Sequence, residues 1–212
     1  KLGGDDFDEA IRTIVNRKCE EETGAAPDES DYTKNDAEED KKSLSKRESV
    51  KVRVSSPKWK ANITLTRAEF EESISALIAQ TEMLCEAAVD EADLDIEDID
   101  QVFLAGGSTR IPCVRESVER VFGKEPVATA NVDEVVALGA ALYAAYKGDR
   151  SKLNATQKKT VEKVSVQEIT SKCYGTLATV NVRGGALQQR NFVLIRKGDK
   201  IPCSESKSFY TM

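Results

Sequence analysis

Histidine is absent from this chain of 212 residues. Its absence removes serine–histidine and cysteine–histidine nucleophile systems and most zinc sites. Any chemistry must rest on carboxylates, lysines, hydroxyls, backbone amides or a cation held by oxygen. Cysteine is sparse: Cys19, Cys85, Cys113, Cys173 and Cys203 are odd in number, widely scattered and never spaced as C-x-x-C. Reduced thiols fit this better than a disulfide framework or a cysteine-based metal site. Of these, only Cys113 stands at an expected helix start, where a thiol can become reactive. No apolar run approaches the roughly 20 residues of a membrane helix, and the N-terminus carries no secretory pattern. An excess of positive charge is also missing. The net charge is −6, which argues against a coat for nucleic acid. A cytoplasmic protein without nucleic-acid or membrane partners is expected.

What is present is a core-forming chain, 40% hydrophobic, whose two ends look cut. "KLGGDDFDEAI" opens on a glycine pair with no strand before it, and "ESKSFYTM" stops inside an apparent strand. A fragment of something longer is therefore expected. Asp5, Asp6 and Asp8 suit the positive end of a helix running from Phe7 to about Cys19. They are expected to serve that helix start rather than a metal, since no glycine-turned calcium loop accompanies them. A loop, "TGAAPDES", precedes a charged helix in "DYTKNDAEEDKKSLSKRES". The alternation of Val50, Val52 and Val54, then Ile63 and Leu65, predicts a β-hairpin. Trp59 on it is expected to cover the sheet edge, with a partner contact as the alternative. Thr66 and Glu69 form a capping box. One long helix is expected from there to about Asp90, with Phe70, Ile74, Leu77, Ile78, Thr81, Leu84 and Ala88 as its apolar stripe.

A strand is expected over 101–105. It runs into Gly106 and Gly107, then Ser108, Thr109 and Arg110, and Pro112 opens a helix closed by Gly123. Glycines at the end of a strand expose backbone amides and let a flat ring lie against the main chain. Ser108 and Thr109 can donate hydroxyls, and Arg110 can stack its guanidinium on a heterocycle. The pattern is neither G-x-G-x-x-G nor a phosphate loop ending in G-K-[ST]. A ligand-free turn remains an alternative. "NVDEVVALGAALYAAYKGD" predicts a slim helix with Asp133 near its N-cap. From Asp149 the chain turns polar and reads as a linker. After Val164, four strand-like segments are expected, with turns at Gly184-Gly185 and Lys197-Gly198-Asp199.

The motifs "LGGDDFD", "LTRAEFEE", "VFLAGGSTRIPCVRESVERVFGKEP" and "NVDEVVALGAALYAAYKGD" resemble, in order and spacing, the second lobe of the ATPase domain of the heat-shock protein 70 chaperones. "YGTLATV" to "FYTM" more weakly resembles the start of that family's peptide-binding β-domain. The resemblance implies an α/β fold. Residues 1–148 would be the C-terminal lobe of an actin-like (ribonuclease H-like) nucleotide-binding domain, with 20–98 as its base-gripping helical and hairpin subdomain. Residues 149–163 would be a linker and 164–212 the start of an all-β substrate-binding domain. It implies adenosine binding through Gly107, Ser108, Thr109 and Arg110, through Glu38, Lys41, Lys42 and Ser45, through Asp133, and through Gly4, whose glycine pair with Gly3 lies near the phosphates. By their spacing alone Glu38 and Lys41, one turn apart, read as a solvated helical pair; with the resemblance, such a pair can also bond ribose hydroxyls.

The implied activity is ATP-dependent chaperoning, with ATP/ADP as cofactor and Mg²⁺ in the full-length protein. Unfolded polypeptides, a J-domain cochaperone and a nucleotide-exchange factor are the implied partners. The family's catalytic set would lie before Lys1, so no catalytic and no metal residue is assigned here. Lys42 departs from the family's frequent arginine, "NVDE" from its asparagine-proline pair, and "KKTVEKVSVQEITSKC" from its aspartate- and leucine-rich linker. Another actin-like ATPase or sugar kinase, and a non-enzymatic interaction module, are the alternative readings. For the second, the lobe with the Val50–Leu65 hairpin is where exchange factors grip the resembled family.

Overall fold

The computed structural model describes residues 3–127, 132–181 and 187–209. The chain divides into two compact units, Lys1–Ala140 and Ala141–Met212, and the division falls inside a helix.

In the first unit, α1 (Gly4–Thr23) is longer than the sequence predicts at both ends. Asp6 accepts the Gly3 N–H at 2.7 Å, which tethers the helix start. Gly24, at φ 77°, closes it in the left-handed conformation that favours glycine. The helix α2 (Lys34–Leu44) opens on Thr33, whose hydroxyl accepts from Asp36 N at 3.2 Å. Strands β1 (Ser49–Ser55) and β2 (Lys60–Thr66) pair antiparallel, Val52 opposite Ile63 and Val54 opposite Ala61. The alternation holds: Val52, Val54, Ala61, Ile63 and Leu65 are buried, and the residues between them face out. Trp59 lies half-buried against the core of the unit, rather than lying over the sheet edge alone.

The predicted long helix is two helices. α3 (Arg67–Ser73) begins at the Thr66–Glu69 capping box, and α4 (Ser75–Glu91) follows a break at Ile74. Ser73 donates to the Phe70 carbonyl and Ser75 to the Glu72 carbonyl, each at 2.7 Å. Such back-bonding competes with the helical ladder and bends it. The break turns the predicted stripe. Phe70, Ile74 and Ile78 are buried, whereas Leu84 is 62% exposed.

The predicted strand over 101–105 is reduced to a single parallel bridge, Phe103 to Val127. One bridge gives the segment a direction without a sheet to bury it, and Phe103 stays 59% exposed. α5 (Pro112–Phe122) matches its predicted bounds, with Gly123 at φ 61° as its left-handed cap. α6 (Val135–Lys147) begins two residues after Asp133. The core gathers α1, α2, the hairpin and α3: Phe7, Ile11, Val15, Leu44, Val54, Leu65, Phe70 and Ile74 are essentially solvent-free. Phe7 meets Phe70 edge-to-face at 6.4 Å.

The second unit is built differently. The polar stretch expected as a linker holds a two-turn helix, α7 (Ala155–Glu162). Its cause is local: the Asn154 side chain accepts from Gln157 N, and the Gln157 side chain accepts from Asn154 N, both at 2.9 Å. Of the first strand-like segment only β3 (Glu168–Ile169) forms, paired with β6 (Lys200–Ile201). β4 (Tyr174–Asn181) and β5 (Leu187–Ile195) form the main hairpin. Gly175 is required there, because a Cβ would come within 2.1 Å of the Phe192 carbonyl oxygen. The turn at Gly198 (φ 93°) is as predicted, with Arg196 N donating to the Asp199 carboxylate at 2.7 Å. Residues 207–209 form no strand. The predicted Gly184-Gly185 turn and the last three residues of the expected fourth strand lie outside the described residues.

Candidate functional site

The turn after the Phe103 bridge shapes one wall of a cleft. Gly106 sits at φ 93°, a conformation L side chains rarely adopt. Its N–H donates to the Val132 carbonyl at 2.9 Å, drawing the start of α6 alongside. Gly107–Arg110 then coil into a single 3₁₀ turn that feeds α5. The Thr109 hydroxyl donates to the Gly106 carbonyl at 2.7 Å. That hydroxyl is thus spent on the turn and Thr109 is absent from the cleft lining, while Gly107, Ser108 and Arg110 line it.

The opposite wall is α2. Its spacing brings Glu38, Lys41, Lys42 and Ser45 to one face, and all four line the same cleft, as do Gly4 and Asp133. The cleft is open, with a volume of about 880 Å³, within the range of small-molecule sites. Of the ten residues the sequence nominates, the fold gathers nine around one space and turns Thr109 away.

Their pairings differ from the expected ones. Lys41 does not pair with Glu38. It lies 2.6 Å from Asp8 Oδ1 and donates to the Gly4 carbonyl at 3.1 Å. Asp8 is only 4% exposed, and a buried carboxylate needs a counterion. Lys41, itself largely shielded, supplies it and ties the glycine end of α1 to α2. Asp8 therefore belongs to the wall between these helices, on the second turn of α1, and not to the helix start. Asp5 does serve the start: its pairing with Lys34 at 2.8 Å holds its carboxyl below the ordinary value. Glu38 pairs with Lys42 one turn on, at 3.1 Å, and Lys42 also reaches Glu39 at 2.9 Å. These hydrogen bonds hold the Lys42 ammonium above its ordinary pKa. Arg110 reaches across to Asp133 at 2.5 Å.

Glycine at position 4 keeps this end of the cleft open. A Cβ there would stand 3.4 Å from Lys41 Nζ and 3.9 Å from Ser108 Oγ. At Gly107 a Cβ would meet Asp133 Oδ1 at 3.6 Å. The position of α2 is fixed from below by Tyr32, whose hydroxyl donates to Asp40 at 2.7 Å. Burial, then this bond and the nearby carboxylates, push the phenol well above its usual range, and burial also raises the Asp40 carboxyl.

Three lining residues escaped the sequence reading: Lys46, Ile111 and Arg115. Lys46 follows Ser45 directly. Arg115 lies one turn into α5, where the 3₁₀ turn and Pro112 aim the helix at the cleft. Only the cleft that lies between the end of α2 and the start of α5 makes them part of one site. Cys113, the thiol at a helix start, is half-buried against the core; burial, helped by Glu71 and Glu116, pushes it up to about 11. It is therefore a thiol at neutral pH.

The polar set suits a nucleoside: a hydroxyl at Ser108, an acceptor oxygen at Ser45, whose own hydroxyl donates to the Lys41 carbonyl at 3.1 Å, planar and ammonium cations at Arg110, Lys41 and Lys42, and bare backbone at Gly4 and Gly107. Among the described residues no three carboxylates or thiols cluster as a ready-made metal centre. None of the described helices is long and apolar enough to cross a membrane. Compared with known protein families, residues 1–212 match the family model described as Hsp70 protein. With that match running the full length of the sequence, the chain belongs to the Hsp70 family.

Proposed function

We propose that this chain supplies the adenosine-gripping lobe of an ATP-dependent chaperone. Residues 1–148 would act as the second lobe of an actin-like nucleotide-binding domain, with 20–98 as its base-gripping subdomain. The 149–163 segment would connect it to 164–212, the first strands of a peptide-binding β-domain. One observation carries the nucleotide assignment: nine residues nominated from separated motifs line a single cleft of about 880 Å³. In it, Glu38 and Ser45 offer oxygens to a ribose, and Lys42 and Arg110 bracket a flat base from α2 and the 3₁₀ turn. The backbone at Gly107 lets the ring approach. Gly4, held by Lys41, stands at the phosphate end.

Phosphoryl transfer depends on positioning and charge neutralisation more than on a reactive side chain. Mg²⁺ would neutralise phosphate charge in the complete site. These residues provide grip and orientation only. The chain by itself should bind ADP weakly and release phosphate from ATP negligibly. ATP binding and hydrolysis would set the affinity for unfolded polypeptide, with a J-domain cochaperone and a nucleotide-exchange factor as partners, in the cytoplasm and under stress.

Calorimetry with ADP tests the assignment. Binding that weakens about tenfold in Arg110→Ala, through loss of one stacked cation, supports it. No heat, together with no rise in Tm at saturating ADP, overturns it.

A further inference from the structure

The chain is acidic, yet residues 46–60 hold six cations, Lys46, Arg47, Lys51, Arg53, Lys58 and Lys60, and one acid, Glu48. The fold places three of them, Lys51, Arg53 and Lys60, on one outward face. In the β1–β2 pair, Lys51 stands opposite Thr64, Arg53 opposite Asn62 and Ser55 opposite Lys60, and every one of these side chains faces out. The other face carries the valines, Ala61, Ile63 and Leu65 into the core. Lys51, Arg53 and Lys60 therefore mark three successive pleats, about 6.8 Å apart along the ribbon. Lys58 lies in the turn between the strands, whereas Lys46 belongs to the cleft lining and is no part of this face. No ion pair or side-chain hydrogen bond engages any of these six within the described residues. Several other cations of this unit are ion-paired, as Lys18 is with Glu69 and Arg120 with Glu82.

A row of like charges left unmatched on a rigid ribbon is costly to hold and is complementary to an anion of the same repeat. We propose that the outward face of the β1–β2 hairpin docks an extended acidic polypeptide whose alternate side chains are carboxylates. An extended strand repeats its side chains at the same spacing of about 6.8 Å, so successive carboxylates meet Lys51, Arg53 and Lys60 in register. Single-stranded nucleic acid is disfavoured, since such binding rests on aromatic stacking and the face has no aromatic; Trp59 is packed against the core. A membrane surface is disfavoured because lasting attachment adds apolar insertion to charge, and the outward positions of both strands are polar or charged. This surface does not depend on the nucleotide cleft being occupied.

The test is fluorescence anisotropy with the whole chain and a labelled peptide alternating Glu and Ser. A Gln–Ser peptide, an oligothymidylate and phosphatidylserine vesicles serve as comparison probes. The Glu–Ser peptide should bind best and weaken with added salt. Lys51→Glu/Arg53→Glu/Lys60→Glu should lower its affinity by about tenfold per reversed charge. Far-UV circular dichroism and Tm should stay unchanged, since these exposed side chains make no ion pair or side-chain hydrogen bond among the described residues; should the triple variant misfold, the neutral Lys51→Gln/Arg53→Gln pair gives the same comparison at smaller scale. Lys158→Glu/Lys159→Glu on α7, the same kind of charge change elsewhere, should leave affinity unaltered. Equal affinity for the Gln–Ser peptide, equal loss in the α7 variant, or tighter binding of the oligonucleotide or vesicles would overturn the proposal. ADP calorimetry is indifferent to all of these variants, so failure here is distinct from failure of the nucleotide assignment.

Discussion

The hairpin of the first unit and the main hairpin of the second begin from similar sequence material and end in different environments. β1 and β2 alternate apolar and polar residues, and their apolar face is sealed by α1 and α3. β4 and β5 are also rich in strand-forming residues, yet Leu177, Leu187 and Val193 stay largely exposed. Among the described residues of the second unit only Val161 and Thr170 are buried. Propensity and pairing suffice to make a hairpin, but a core needs a second layer with its own apolar stripe. The first unit has that layer in helices whose stripes converge. α7, the capped helix of the second, buries one residue.

The sharpest way to break this contrast is to truncate one apolar side chain in each hairpin's surroundings. Phe70→Ala should cost about 3–5 kcal/mol, because it empties the centre of the first core. Leu177→Ala, 67% exposed, should stay within about 0.5 kcal/mol. Urea unfolding measures both, and comparable losses would refute the contrast.

Next in size, Tyr32→Phe removes the hydroxyl that donates to Asp40 and leaves a half-buried carboxylate short of a donor. The expected cost is about 1–3 kcal/mol. The same residue gives a pH signature. Its folded pKa is raised above the unfolded value of about 10, so the unfolded chain releases the proton first. The stability it contributes is whole below about pH 10 and lost as pH rises further. Alkaline denaturation curves should lose that component in Tyr32→Phe.

Smaller again, Asn154→Ala should cost α7 about 1 kcal/mol and lower helical signal without touching the first unit. Last, with no change in stability, thiol titration should separate the units by rate. Cys173 and Cys203 are exposed and should react promptly with a disulfide reagent. Cys113, pushed up to about 11, should react only as the first unit opens. Prompt modification of Cys113 in the folded chain would mean that its surroundings are more open than the structure shows.

Much of this was legible in sequence because it is local. The Thr66–Glu69 box, Pro112 and Gly123 around α5, and the valine alternation each act within a few residues. The Asn154–Gln157 box was equally local, but a polar helix leaves no apolar period to draw the eye. The break at Ile74 was less so: serine hydroxyls choose between solvent and a backbone carbonyl, and that choice depends on how α3 and α4 each pack.

For the cleft, the separated motifs nominated its members, while their partners came from contacts far apart in sequence. Lys41 turns to Asp8 rather than Glu38 because Asp8 is buried where α1 crosses α2. Arg110 finds Asp133 because Gly106 bonds the segment at Val132. Sequence alone thus determined which short elements form and which residue types could grip a nucleoside, since caps, periods and turns act over a few bonds. Tertiary structure alone decided which charges neutralise one another, which apolar stripes are sealed and which cations stay unmatched, because desolvation is set by what lands alongside.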